Sequence, residues 1–179
     1  SHNAGAYNGI KCYGPDGCQM TDEPAAIVTE NISKIPYFVP ESKSFDDYLQ
    51  ENMISYIGQD MWEAYYQTVL SESITPRMIG TAGLNVVYTP LCGTGNVPVR
   101  RVLKELGFKN VYVVPEQENP DPKFTTLEYP NPEDPKAFTY ALALAKEKDA
   151  DIILATDPDA DRLGVYAKDA KTGEYVAFT

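Results

Sequence analysis

The chain has 179 residues, of which 43% are hydrophobic and 23% are charged. These fractions are those of ordinary globular proteins, and they exclude a chain that is mostly disordered or fibrous. The net charge of −11 argues against nucleic acid as a partner. No apolar run reaches the ~20 residues of a membrane span, and no stretch has the sequence of basic, apolar and small residues that marks a signal peptide. Together with three cysteines that show no repeated spacing, this predicts a cytoplasmic protein without a membrane partner.

The sequence of residues 1–40 predicts a hairpin and a short helix rather than a complete hydrophobic core. Two short apolar runs flank the Gly-Pro-Asp-Gly sequence of residues 14–17, which is typical of a hairpin turn. A short helix is expected after Thr21, with Pro24 in its first turn, and it should end before Pro36. We interpret this segment as a fragment rather than a complete domain.

Residues 41–83 predict two helical segments. Ser44 and Asp47 have the spacing of a capping box, and apolar residues recur at helical spacing from there to Ile57. Gly58 interrupts this pattern, and a second helical pattern follows it. We interpret the segment as a helical linker that leads into the residues that follow.

Residues 84–179 alternate between strand and helix patterns, which indicates a largely parallel sheet. The two intervening helices are marked by Pro98 in a first turn and by an Asp-Pro cap at Asp134. The expected fold is a three-layer α/β domain, with a mixed, mostly parallel sheet in βαβαββ order flanked by helices. The predicted strands cover residues 84–91, 111–114, 152–156, 163–167 and 174–178.

Three carboxylates alternate directly after the third predicted strand. Asp157, Asp159 and Asp161 lie in the run Thr-Asp-Pro-Asp-Ala-Asp-Arg, and their mutual repulsion could be relieved by a divalent cation such as Mg²⁺. Arg162 offers a planar fork that suits a phosphate beside that metal. A solvated acidic turn without a metal is the alternative. We call residues 157–162 the acidic loop.

A loop of small residues follows the first predicted strand. Residues 90–95, here called the glycine loop, read Pro-Leu-Cys-Gly-Thr-Gly and could let backbone N–H groups approach an anion. An alternative is therefore that the chain is a nucleotide-binding α/β module that uses Gly93 to Gly95. However, Pro98 stands at the position of the third glycine in the dinucleotide-binding pattern. A tight structural turn is equally compatible. Because both loops leave carboxyl ends of parallel strands, they are expected at one edge of the sheet.

Taken together, three segments resemble the α-D-phosphohexomutases, the phosphoglucomutase and phosphomannomutase family. The Ser-His-Asn of residues 1–3, with the Tyr-Asn-Gly-Ile-Lys run after it, resembles the phosphoserine loop of that family, although Ala4 stands where the family has Pro. The acidic loop matches the metal loop without a mismatch. The glycine loop is similar to a third family motif, with Cys92 in place of a histidine.

The resemblance implies a reversible transfer of a phosphoryl group between the 1- and 6-positions of a hexose. Ser1 would be the phosphorylated serine, and the sugar would pass through a bisphosphorylated intermediate. His2 and Lys11 would contact the reacting hydroxyl or move its proton, and Asn3 would bind substrate or phosphate. By the same match, the three aspartates would hold Mg²⁺ and Arg162 would neutralise phosphate charge.

The resemblance also implies substrates, an activator and partner domains. Glucose 1-phosphate and glucose 6-phosphate are the expected substrates, and glucose 1,6-bisphosphate is the expected activator and intermediate. Enzymes of this family have four domains, whereas this chain would carry the end of the first and the whole of the second. The regions that select the sugar and bind its phosphate would lie in the missing domains of the parent chain. The isolated chain is therefore expected to be inactive.

Overall fold

The computed structural model describes residues 6–7, 10–37, 43–74 and 83–178. These residues divide into two compact units, one within residues 9–61 and one that contains residues 62–178. Among the described helices, none has the length and apolar character that crossing a membrane requires.

The smaller unit contains the predicted hairpin and short helix. Tyr13 and Gln19 form an antiparallel bridge around a turn in which Gly17 has a φ of 78°, a conformation that glycine adopts without strain. Helix α1 (Asp22–Ser33) begins directly after Thr21, as its sequence pattern predicts. None of its residues is buried.

Helix α2 (Phe45–Gln50) has the predicted capping box but ends earlier than its apolar spacing predicts. The Ser44 hydroxyl accepts a hydrogen bond from the backbone N–H of Asp47, whose carboxylate accepts one from the Ser44 N–H in return. The expected continuation to Ile57 is wrong because Asn52 adopts a left-handed φ of 58°. The chain then turns back, and the N–H of Met53 donates to the carbonyl oxygen of Tyr48 at 2.9 Å.

Helix α3 (Gln59–Ser71) leads into the larger unit and confirms the second helical prediction. Tyr66 is its buried residue, and the guanidinium of Arg101 lies 4.1 Å from the centre of the Tyr66 ring. The same guanidinium makes two hydrogen bonds to the carboxylate of Glu63, at 2.8 and 2.6 Å. Cation–π and charge-assisted contacts therefore hold the later part of α3 against the α/β elements.

The larger unit contains a five-stranded mixed sheet in the order β2-β1-β3-β4-β5. Strand β1 pairs in parallel with β2 and β3, whereas β4 is antiparallel to both β3 and β5. This confirms an α/β fold with a mixed sheet; the order of its elements is βαβαβββ, one strand more than the expected βαβαββ. The elements are β1 (Asn85–Thr89), α4 (Asn96–Glu105), β2 (Asn110–Val113), α5 (Thr139–Lys148), β3 (Ile152–Thr156), β4 (Leu163–Lys168) and β5 (Tyr175–Phe178). Helix α5 is preceded by a 3-10 turn over Pro135–Phe138, with Asp134 as its cap.

The core lies around the two central strands. Val86, Val87 and Tyr88 of β1 are fully buried, and so is Ile153 of β3. Parallel strands that are covered on both faces carry continuous apolar runs, which explains why these segments are hydrophobic without alternation. Phe138 packs against this core, with its ring centre 4.5 Å from that of Tyr166. The glycine and acidic loops therefore follow the two strands that carry these buried core residues.

Candidate metal centre

The acidic loop follows β3 and folds back on itself. Each of Asp157, Asp159 and Asp161 offers one carboxylate oxygen, and these three oxygens lie within 4.8 Å of one another. The N–H of Ala160 donates to the backbone oxygen of Asp157 at 2.9 Å, and Ala160 has a left-handed φ of 60°. This tight turn brings alternate side chains together, as the spacing of the aspartates predicts.

Asp157 is the buried member of the cluster, and it has no exposed surface. Its Oδ1 accepts a hydrogen bond from the backbone N–H of Arg162 at 3.1 Å. Its Oδ2 is also buried and has no hydrogen-bond partner among the described residues. A buried carboxylate oxygen without a donor is costly, because it has lost its water without replacement.

The electrostatic surroundings of Asp157 oppose its ionisation. Burial is the main effect that raises the pKa of this carboxyl group; the N–H of Arg162 partly counteracts it, and the nearby carboxylates of Asp159 and Asp161 raise the pKa further. A divalent cation would remove both the repulsion and the unmet hydrogen-bonding capacity of Oδ2. The donor set consists of oxygen atoms alone, which is the chemistry that Mg²⁺ prefers. The residues present therefore fit the metal that the sequence predicts.

Arg162 closes the acidic loop with its backbone and extends its side chain elsewhere. Its Nη1 donates to Glu133 Oε1 at 3.1 Å. Both side chains are accessible to solvent, and the Glu133 side chain is 72% exposed. Exposed ion pairs contribute little to stability, so a phosphate could replace this carboxylate as the partner of Arg162. No sequence pattern indicated the Glu133 contact.

The glycine loop packs directly against the acidic loop. A Cβ on Gly93 would lie 2.3 Å from the Cα of Pro158, and one on Gly95 would lie 2.6 Å from Tyr88 Oη and 2.7 Å from Thr156 Oγ1. Glycine is therefore needed at both positions because atoms of the protein itself occupy the space that a side chain would fill. This observation does not favour the nucleotide-binding alternative, in which the loop would open toward a ligand. The tight structural turn describes the loop better.

A buried polar contact fixes the beginning of the glycine loop. The Thr89 hydroxyl donates to Gln117 Oε1 at 2.7 Å, and the N–H of Cys92 donates to the backbone oxygen of Gln117 at 2.9 Å. Sequence reasoning missed Gln117, because it lies 28 residues beyond Thr89. Cys92 is buried, and burial raises the pKa of its thiol, so this group stays protonated at neutral pH.

The structure describes only part of the predicted site. Ser1, His2 and Asn3 lie outside the described residues. Lys11 is exposed and lies in the smaller unit. The three aspartates and Arg162 occupy one loop of the larger unit, as described above. The candidate site that the described residues form is therefore the carboxylate cluster of the acidic loop.

Comparison with known proteins gives this arrangement a family context. Residues 63–172 match the family model described as phosphoglucomutase/phosphomannomutase, alpha/beta/alpha domain II. The chain belongs to this family. The matched range contains the whole of the glycine and acidic loops, so the phosphoglucomutase/phosphomannomutase resemblance that the motifs indicate is confirmed.

Curated relatives extend the likeness over nearly all of the chain. A phosphoglucomutase of Staphylococcus haemolyticus is 38% identical over 178 residues, which cover 98% of this chain and 31% of the relative. A phosphoglucomutase of Staphylococcus aureus is 35% identical over 188 residues, with coverages of 95% and 30%. The chain therefore spans about a third of the length of the curated relatives it matches.

Solved structures support the fold of this phosphoglucomutase/phosphomannomutase family member. A protein from Thermus thermophilus that is assigned as a phosphomannomutase aligns with a TM-score of 0.68. The alignment covers 93% of this chain and 34% of that one, at 24% sequence identity. At this identity the likeness concerns the fold alone.

Proposed function

We propose that this chain forms the Mg²⁺-binding domain of a phosphohexomutase, an isomerase that interconverts hexose 1-phosphate and hexose 6-phosphate. The observation that carries the proposal is the cluster of three carboxylates around the buried, unpartnered Oδ2 of Asp157. Its position in a family of phosphoglucomutases and phosphomannomutases supplies the substrate class.

The members of the cluster are suited to different tasks. Asp157 is buried and held by the Arg162 N–H, so it would fix the inner side of the metal site. Asp159 and Asp161 are exposed and would hold the side that faces substrate. Bound Mg²⁺ would supply positive charge beside the phosphoryl group, which is what phosphoryl transfer chiefly needs besides positioning. The Arg162 guanidinium would exchange Glu133 for a phosphate oxygen.

The transfer itself is assigned to residues near the start of the chain. We propose that Ser1 carries the phosphoryl group. A hydroxyl oxygen of the sugar forms the new bond to phosphorus while the bond to the serine oxygen breaks. His2 or Lys11 takes the hydroxyl proton, and the serine oxygen, which leaves with the electron pair, gains a proton in turn. Transfer back to Ser1 from the other position of the bisphosphorylated sugar completes the interconversion. Asn3 is proposed to bind the substrate or its phosphate.

We further propose a pair of substrates and a larger enzyme around this domain. Glucose 1-phosphate and glucose 6-phosphate are the proposed substrates, with glucose 1,6-bisphosphate as intermediate and activator. We place the regions that select the sugar and bind its distal phosphate outside these 179 residues, because the relatives are about three times as long. The 179-residue chain is therefore expected to show no mutase activity by itself. A cytoplasmic location for the protein stays a prediction.

The metal assignment is tested by titrating the purified chain with Mg²⁺ and following the backbone amide signals of the acidic loop by NMR. Asp159→Asn should weaken Mg²⁺ affinity about tenfold or more, because one of three charged ligands is lost. Glu147→Gln is the matched control, since it removes one negative charge from an exposed ion pair on α5. Equal Mg²⁺ affinity in wild type and Asp159→Asn would refute the assignment.

A further inference from the structure

The backbone between the first two aspartates is held by a residue of the glycine loop. The carbonyl oxygen of Pro158 accepts two hydrogen bonds from Thr94, one from its N–H at 2.8 Å and one from its hydroxyl at 3.0 Å. Gly93, the preceding residue, allows this approach because any Cβ there would overlap Pro158. Thr94 and Pro158 are 64 residues apart in sequence.

Like charge acts against the folded shape of the acidic loop. Asp157, Asp159 and Asp161 repel one another at the distances observed, and two of them are exposed. Two hydrogen bonds from backbone N–H groups resist the opening of this loop from within: Ala160 N–H donates to the backbone oxygen of Asp157, and Arg162 N–H donates to the carboxylate Oδ1 of Asp157. The two bonds from Thr94 are anchored in a different segment, so they hold the loop relative to the sheet as well.

We propose that Thr94 is a positioning residue for the metal centre: its hydroxyl holds the Pro158 carbonyl so that the carboxylates stay converged before the cation binds. The inference rests on the proposed Mg²⁺ site and adds a residue that would act on the carboxylates through the Pro158 carbonyl. A loop that is already converged binds a cation more tightly, because repulsion need not be overcome by rearrangement during binding.

Two substitutions separate positioning from a general effect on the fold. Thr94→Val keeps the branched shape and the backbone N–H but removes the hydroxyl, whereas Thr94→Ser keeps the hydroxyl. Thr94 is exposed, so both variants are expected to fold. Thr172→Val is the matched control, because it removes a threonine hydroxyl that bonds Asp169 at the opposite end of β4.

The experiment measures Mg²⁺ affinity by NMR titration and, without metal, hydrogen exchange at the amides of Ala160 and Arg162. We expect Thr94→Val to bind Mg²⁺ roughly two- to tenfold more weakly, the range that one hydrogen bond allows. Both amides should exchange faster in this variant. Thr94→Ser and Thr172→Val should match wild type in both measurements.

The possible failures can be told apart. If wild type binds Mg²⁺ and Thr94→Val binds it equally tightly, the positioning role of Thr94 is overturned while the metal site stands. Absence of Mg²⁺ binding in wild type would instead overturn the metal site itself. In that case the exchange rates decide the remaining part of the inference: faster exchange in Thr94→Val supports the hold on the loop, and unchanged exchange refutes it.

Discussion

Two acidic turns of the same sheet shift the pKa of an aspartate in opposite directions. The turn between β4 and β5 contains Asp169, whose Oδ1 accepts hydrogen bonds from the N–H of Lys171, the N–H of Thr172 and the Thr172 hydroxyl. These bonds lower the pKa of Asp169, the Thr172 N–H contributing most. In the acidic loop, burial and neighbouring carboxylates raise the pKa of Asp157.

The comparison separates an aspartate that stabilises its turn from one that strains it. Asp169 is satisfied within its own turn, so the folded chain favours its charged form. Asp157 accepts one N–H, and its second oxygen has no partner among the described residues. A group that costs stability in the absence of a ligand is typical of functional sites, where the ligand restores the balance. The pattern Asp-x-Asp-x-Asp alone does not reveal this cost.

The largest contrast is expected between glycines of the two regions. Gly93→Ala should destabilise the chain by about 3 kcal/mol or more, because its Cβ would meet the backbone of Pro158 and the packing must shift. Gly173→Ala meets no atom within 4 Å but needs a φ of 75°, which costs about 1–2 kcal/mol. Urea unfolding in EDTA measures both. Equal losses would show that the close approach of the two loops is not needed for stability.

Exchanging each aspartate for asparagine should change stability in opposite directions. Without metal, Asp157→Asn removes a buried charge from a repulsive cluster, and we expect the melting temperature to rise by about 2–4 °C, the shift that 1 kcal/mol produces in a chain of this size. Asp169→Asn should lower it slightly, because the amide oxygen can still accept the three hydrogen bonds but lacks the charge that strengthens them.

Mg²⁺ sharpens this contrast between the aspartates. The cation should stabilise wild type and Asp169→Asn, and it should not stabilise Asp157→Asn. Calorimetric melting curves with and without Mg²⁺ make the measurement. A fall in the metal-free melting temperature of Asp157→Asn would contradict the view that this carboxylate strains the loop.

The smallest effects concern pH, and their signs differ between the two turns. For Asp169 the folded-state pKa is lowered, so its stabilisation is present above the unfolded pKa of about 3.9 and is lost as pH falls through the folded pKa. For Asp157 the folded-state pKa is raised, so the stabilisation by its protonated form is present below about pH 3.9 and is lost as pH rises through the folded pKa.

The stability differences from wild type should follow these signs. The deficit of Asp169→Asn should shrink toward low pH, and the advantage of Asp157→Asn should grow as pH rises. Urea unfolding of the three proteins from acid to neutral pH in EDTA tests this. Parallel curves for wild type and Asp157→Asn would contradict a raised pKa of the Asp157 carboxyl group in the folded chain.

Local patterns predicted most elements of the fold because each depends on neighbouring residues. Strand β3 occupies the predicted residues, and the capping box at Ser44 is formed as expected. The predicted end of α2 was wrong. Apolar residues continue at helical spacing to Ile57, but Asn52 adopts a left-handed conformation and the helix ends before it. Apolar spacing indicates which residues can share a helical face, and it does not show where the backbone leaves the helix.

The sequence alone was sufficient to predict an α/β sheet, because strand and helix patterns alternate along the chain. The alternation of three aspartates predicted an acidic loop at the edge where parallel strands end. Those features follow from local spacing and from the direction of parallel strands. Only the tertiary structure decided that Asp157 is buried with an unpartnered oxygen, that the glycines pack on protein atoms, and that Thr94 holds Pro158. The contact between the two loops joins residues 64 positions apart, for which the sequence has no local pattern.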